Sequence, residues 1–359
     1  MATMTLSRRW RRYPVAALVV LLANLVHALP AAAETVEGGQ WYVDFLDLDS
    51  AHKISQGRSV TVAIIDSGVG VHPDLAGRVL SGTDARVGGN DPDGRNDEDG
   101  HGTGMAGLVV GHGRVRGVAP AATVLPVKIS NGVGYASLAP GIEWAIDHGA
   151  TVISISLGVS RSGISDEMAV RRAIEAGVVV VASVGNTDED HLVAYPAAYD
   201  GVVAVGGVDR EGNHAKISVR SDRIVLAAPS DKISVTEPNG KYTIATGTSN
   251  STALVAGAVA LVRAKFPDLS AEEVIHRLTY TADDKGPTGR DDEYGYGVVN
   301  IVKALTADVP PLHPQTTPSY NDLPDVVDDD PPIALIVLGA VLALLLVVIL
   351  VLLLRRRRT

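Results

Sequence analysis

A mostly parallel β-sheet covered by helices on both faces is the fold class this sequence predicts. Three observations carry it: six apolar, β-branched runs recur along the chain, helical patterns fall between several of them, and glycine-bearing turns mark the junctions. Runs that are apolar throughout, with no alternation, belong to strands buried on both faces, and strands separated by helix-length segments pair in parallel. A composition of 46% hydrophobic and 20% charged residues is ordinary for a globular domain, so a sizeable core can form.

Taken in order, the first strand is Val60 to Ile65, which delivers Asp66 at its end. A helix follows over Gly102 to Gly111, then a strand at Val124 to Ile129, a helix at Ser137 to His148 and a strand at Val152 to Leu157. The next helix spans Asp166 to Ala176, and three strands succeed it at Val178 to Val184, Val202 to Val208 and Ile224 to Ala228. Two helices complete the pattern. Phe266-Pro267 ends the first, Ser249 to Lys265, and Ser270 with Glu273 makes a capping box for the second, Ser270 to Thr279. In such sheets ligands collect outside the carboxyl ends of the strands, so polar residues at strand-to-loop and loop-to-helix junctions are the candidates for chemistry.

Both ends of the chain address a membrane. Arg8, Arg9, Arg11 and Arg12 precede an apolar run from Val15 to Leu29, and Ala31-Ala32-Ala33 offers small residues for a signal peptidase, so residues 1–33 are expected to be a signal peptide cleaved before Glu34. At the other end, 333–354 carries no charge and, at 1.5 Å per residue, is long enough to cross a hydrocarbon core of about 30 Å. Arg355 to Arg358, in the tail 355–359, place that end in the cytoplasm. Seven prolines and many acids make 309–332 an extended stalk, which leaves 34–308 as an outward-facing domain.

The formal charge is −10, but the eight arginines at the two ends hide a remainder of −18. Such a surface repels phosphate and argues against nucleic acid as a partner, while attracting cationic peptide segments within a Debye length of about 8 Å. There is no cysteine, which excludes disulfides, thiolate metal sites and a cysteine nucleophile.

Three short motifs carry the chemistry. Asp66 ends the run Val62-Ala63-Ile64-Ile65, His101 lies in Asp99-Gly100-His101-Gly102-Thr103-Gly104, and Ser249 lies in Gly247-Thr248-Ser249-Asn250-Ser251. A serine hydroxyl is a poor nucleophile at neutral pH; it needs an imidazole to take its proton and a carboxylate to fix the imidazole's tautomer. Each motif alone is more often a turn, a structural histidine or a helix cap. Jointly, in the order Asp, His, Ser and in strand and helix contexts, they specify a serine peptidase, and that order is the one found in subtilisin among three unrelated triad orders. A loop from Gly88 to Asp99 gathers Asn90, Asp91, Asp93, Asn96, Asp97, Glu98 and Asp99, oxygen ligands of the type Ca²⁺ prefers. Its spacing does not reproduce an EF-hand loop, so a solvated acidic loop is the first reading and structural calcium the alternative; no cofactor is required.

On these motifs the chain resembles the subtilase family over about Gln40 to Leu305. The resemblance implies a subtilisin-like fold and peptide hydrolysis through an acyl-enzyme. It also implies that Asn186, ending Val180-Val181-Ala182-Ser183-Val184-Gly185, donates to the tetrahedral oxyanion, a contact worth about 100 to 1000-fold in rate. Peptide substrate is expected to pair in extended form with Asn131 to Tyr135, through Gly132 and Gly134, and with Ser156, Leu157 and Gly158. The pattern departs from the family at Gly104, where His or a bulkier residue is usual, and at Ala253, where Pro is usual. His72, in Val71-His72-Pro73-Asp74-Leu75, is expected to be structural.

The span Glu34 to Ile65 is too short for a folded pro-domain, and with Gln40-Trp41-Tyr42, the stalk and the membrane helix it looks like the mycosins, membrane-anchored subtilases of type VII secretion systems. That likeness implies the secretion machinery as a partner. Two other functions stay open: a subtilase-fold scaffold that steadies a secretion complex with little proteolysis, and a general surface protease.

Overall fold

The computed structural model describes residues 35–312 except 132–136, 162 and 189–191. The expected signal peptide, membrane helix, tail and all but the first residues of the stalk lie outside them. Among the described residues no helix is long and apolar enough to cross a membrane.

Seven strands form one sheet in which every neighbouring pair is parallel. They are β1 (Thr61–Asp66), β2 (Thr83–Asp84), β3 (Thr123–Lys128), β4 (Val152–Ile155), β5 (Val179–Ser183), β6 (Val203–Val208) and β7 (Leu226–Pro229), in the order β2-β3-β1-β4-β5-β6-β7. Six of these are the strands read from the apolar runs. The fourth stops at Ile155, two residues earlier than expected, which releases Ser156 and Leu157 into a loop.

Alternate residues of the central strands feed two separate cores. Val62, Ile64, Val152, Val179, Val181 and Val205 pack on one face with helices α3 (His101–Val110), α6 (Thr248–Lys265) and α7 (Ala271–Tyr280). Ala63, Ile65, Ile153, Ile155, Val180 and Ala182 pack on the other with α4 (Ala139–Asp147) and α5 (Ile164–Glu175). Helices therefore cover both faces, as predicted. In α6 the residues from Ala253 to Val262 are all buried, and its small side chains, Ala, Gly and Val, let it lie close to the sheet. The capping box at Ser270 and Glu273 is formed in both directions.

Six helices and strands were not expected: the short helices α1 (Tyr42–Phe45), α2 (Leu48–Ile54) and α8 (Ile301–Thr306), the two-residue β2, and the two strands of an antiparallel hairpin, β8 (Ile233–Glu237) and β9 (Lys241–Ala245). The hairpin packs over α3 and leads directly to the start of α6. Because β3 and β4 leave β1 on opposite sides, the crevice at the carboxyl end of β1 is where loops diverge, and Asp66 is the last residue of that strand.

Candidate active site

Each motif residue is delivered by a different element. Asp66 ends β1 and is wholly buried. His101 opens α3 behind Gly100, whose φ of 93° is the left-handed backbone that glycine adopts without strain. Ser249 is the second residue of α6, next to the extended Gly247. Side chains of the serine motif anchor that helix start to the sheet: Asn250 Nδ2 donates to the carbonyls of Ser230 and Ala245, and Ser251 Oγ reaches those of Ala228 and Pro229.

The Nδ1 of His101 lies 2.7 Å from Asp66 Oδ1, which also accepts the Ser67 N–H at 2.7 Å. A carboxylate offers acceptors only, so Nδ1 carries the proton and Nε2 is the basic atom of the neutral ring. Burial is the largest influence on this ring and disfavours its charge. The Asp66 charge and hydrogen bond, with the charges of Asp99 and Asp97, outweigh it and push the His101 pKa up to about 9. The side chain keeps 31% of its surface exposed, on the cleft.

The Ser249 hydroxyl donates to the Ser156 carbonyl at 3.1 Å, while Ser156 Oγ donates back to the Ser249 carbonyl at 3.2 Å. Asn186 is held by its carboxamide oxygen, which accepts Thr248 N at 3.0 Å and Thr248 Oγ1 at 3.1 Å. Those two donors decide which amide atom is oxygen. Asp66, His101, Ser249, Asn186, Ser156, Leu157 and Gly158 all line one open cleft of about 550 Å³. Seven of the nine residues singled out for the site thus meet in it; Gly132 and Gly134 lie outside the described residues.

Sequence reasoning missed three contributors. Thr248 orients Asn186, and Ser67 with Asp97 ties the Asp66 turn to the start of α3. Asp97 belongs to the acidic loop in sequence but turns its carboxylate to Ser67 and Thr103. There the carboxylates serve the loop itself: Asp84 accepts Arg86 Nε and the Asn90 and Asp91 N–H groups, Asp91 accepts Asn96 N, and Asp93 accepts Arg95 N. The hydrogen bond from the Arg86 guanidinium is the main reason the Asp84 pKa falls to about 2. Among the described residues no group of three acids or histidines is arranged to hold a metal ion. His72 is buried, its Nδ1 accepting Asp74 N and its Nε2 donating to the Lys241 carbonyl, so it joins the loop after β1 to β9.

Comparison with known proteins places this geometry. The chain matches the model of the subtilase family over residues 57–297. It is 38% identical over 259 residues to Subtilisin DY of Bacillus licheniformis, across 69% of this chain and 92% of that one. With the Thermostable alkaline protease of Halalkalibacterium halodurans it shares 36% over 271 residues, 74% of this chain and 73% of that one. The crystal structure of MycP1 from Mycobacterium smegmatis is similar with a TM-score of 0.67 and 27% identity, over 75% of this chain and 85% of that one. The structure of MycP3, a protease from the type VII (ESX-3) secretion system, is similar with a TM-score of 0.65 and 30% identity, over 78% and 91%.

Proposed function

Since this chain belongs to the subtilase family and is a serine endopeptidase, we propose that Asp66, His101 and Ser249 are its triad, that Asn186 is an oxyanion donor, and that it works as a mycosin-like, membrane-anchored enzyme of a type VII secretion system. The observation that carries the catalytic part is the convergence of three separate motifs on one cleft, with the Asp66 to His101 contact already made at 2.7 Å.

In the reaction, Ser249 Oγ leaves the Ser156 carbonyl, turns toward His101 Nε2 and attacks the scissile carbonyl as Nε2 takes its proton. Asp66 stabilises the imidazolium that forms. The amide of Asn186 and the N–H groups at the start of α6 face the developing oxyanion, where a donor counts for most because the charge appears only in the transition state. His101 then protonates the leaving amine, and water, activated by the same ring, releases the acyl-enzyme. No cofactor enters these steps.

Membrane anchorage rests on the signal-like start, the apolar run from Ile333 and the four arginines after it. The secretion link rests on those ends together with the likeness to MycP1 and MycP3. The same likeness favours selective cleavage of secreted protein over general digestion.

The test is labelling of the purified chain with a fluorophosphonate probe, comparing the parent with Ser249→Ala, followed by secretion assays in cells carrying each form. Labelling lost in the variant, with secretion impaired, supports an enzyme in the pathway. A well-folded parent that does not label, or secretion undisturbed by Ser249→Ala, points instead to a scaffold.

A further inference from the structure

The geometry points to Asp97 as a positioning residue for this active site: a buried carboxylate that clamps the strand end carrying Asp66 to the helix start carrying His101. The inference rests on the triad reading above and extends it to a residue that never meets substrate.

A helix-capping acid ordinarily accepts one or two N–H groups of its own first turn. Asp97 is 7% exposed and does more. Its Oδ2 accepts Thr103 N at 2.9 Å and Thr103 Oγ1 at 2.5 Å; its Oδ1 accepts Gly100 N at 2.8 Å and, from the other element, Ser67 Oγ at 2.9 Å. Ser67 completes the bridge by accepting Gly102 N at 2.9 Å. The residues bonded in this way are the sequence neighbours of His101 on one side and of Asp66 on the other, so a shift of the carboxylate is transmitted to the 2.7 Å contact between them.

The clamp is itself anchored. Val69 N donates to the Gly94 carbonyl at 2.9 Å, Arg95 Nε to the Val69 carbonyl at 3.0 Å, and the buried Lys128 of β3 reaches the Asn96 carbonyl. Gly68, at φ 111°, keeps that turn within reach, because a Cβ there would stand 3.0 Å from the Asn96 oxygen. Four hydrogen bonds on one carboxylate, two to each oxygen, hold it in one orientation.

Asp97 has a second, electrostatic effect. The acids that favour charge on His101 are Asp66, Asp99 and Asp97, so neutralising Asp97 lowers the ring's pKa as well as loosening the clamp. Loosening of the clamp is read in the rate, and the electrostatic effect in the midpoint.

The experiment uses the full chain and measures the second-order rate of fluorophosphonate labelling against pH for the parent, Asp97→Asn and Ser67→Ala, with Ser249→Ala as the blank. Asn presents an amide donor where Asp97 accepts, so the expected result is a plateau rate 10 to 100-fold below the parent and a midpoint at lower pH. Ser67→Ala keeps the Asp97 charge but cuts the bridge, and is expected to lower the plateau about tenfold with the midpoint near the parental one. NMR of the His101 ring gives the midpoint, and the chemical shift of the Nδ1 proton shared with Asp66, without a reactive serine; a parent that fails to label therefore counts against the triad, while a Nδ1 proton displaced in Ser67→Ala supports the clamp and one unmoved in both variants overturns it. Parental plateau and midpoint in both folded variants overturn the proposal, and if Asp97→Asn does not fold, the same result in Ser67→Ala does so.

Discussion

The hydroxyl of Ser249 donates to the backbone carbonyl of Ser156 at 3.1 Å, and among the described residues it makes no hydrogen bond to His101. The hydroxyl proposed as nucleophile is thus held on a backbone carbonyl of the cleft that His101 also lines. Catalytic hydrogen bonds are often long or absent before substrate arrives and tighten in the complex. A crystal structure of the fluorophosphonate adduct is expected to find Oγ detached from the Ser156 carbonyl and bonded to phosphorus, with a phosphoryl oxygen 2.7–3.1 Å from the Asn186 amide nitrogen. An adduct whose oxygen points away from Asn186 would sink the assignment of that residue.

A His101 pKa near 9 sets opposite pH trends for rate and stability. General-base catalysis needs the neutral ring, so labelling and hydrolysis rise with pH and reach half of their plateau near pH 9. For stability the sign reverses: the pKa is raised from 6.5 on folding, so the contribution of this charged ring is fully present below pH 6.5 and is lost as pH climbs toward 9. Asp66→Asn removes the main charge that favours imidazolium, so the rate midpoint moves to lower pH. The plateau falls by about 10⁴-fold, because an amide facing Nδ1 no longer fixes the useful tautomer. A rate profile flat from pH 6 to 10 contradicts this account.

Asn186 and Thr248 should separate by magnitude. Asn186→Ala removes a donor used only in the transition state and is expected to lower kcat on a small activated ester by about 100 to 1000-fold with little change in KM. Thr248→Val deletes one of the two donors that hold the Asn186 oxygen and leaves the backbone N–H in place, so a loss of about tenfold is expected. Losses that multiply fully in the double variant would mean that Thr248 acts on the serine and not through the amide.

How far the sequence could be read depended on whether a signal was local. Strands such as Val179–Ser183 and helices such as α7 carry their own apolar period and cap, and they were found within a few residues. Asp66, His101, Ser249 and Asn186 were found because each sits in a short turn whose composition is its signature. The hairpin also had a signal: Asn239-Gly240, with φ of 64° and 74°, is the pair a primed turn requires, and the run after Ile233 alternates in burial less clearly than in sequence. β2 had none, since two residues paired to Val127 and Lys128 carry no period. The work of Asp97, Ser67 and Thr248 depends on contacts across 30 to 62 positions, and no window of sequence contains them.

Gly104 and Gly102, two residues apart on α3, should respond oppositely to the same methyl group. At Gly104 a Cβ would meet Val235 Cβ at 3.3 Å and the Thr236 carbonyl at 3.4 Å, so β8 lies where the bulkier residue usual in the family would point. These atoms belong to the buried β8, which must shift by a few tenths of an ångström, while Gly104→Ala gains about 1 kcal/mol of helix propensity. A change in stability within about 1 kcal/mol and retained activity are expected. Gly104→His must displace β8, at about 1–3 kcal/mol of overpacking, and activity should fall with it since the hairpin feeds Gly247 and Ser249. At Gly102 a Cβ would stand 2.1 Å from the Gly68 carbonyl and 3.1 Å from Asp66 Cβ. A backbone carbonyl and the first side-chain carbon of a wholly buried residue leave nothing flexible to yield, so the start of α3 must move away from β1 and open the contact between His101 and Asp66. Gly102→Ala should therefore lose more than about 100-fold in rate, since displacements near 1 Å at a reacting group have that effect. Kinetics beside thermal unfolding of the three variants checks the order, and a Gly102→Ala enzyme as active as Gly104→Ala would show that close packing of α3 on the Asp66 turn does not set the triad.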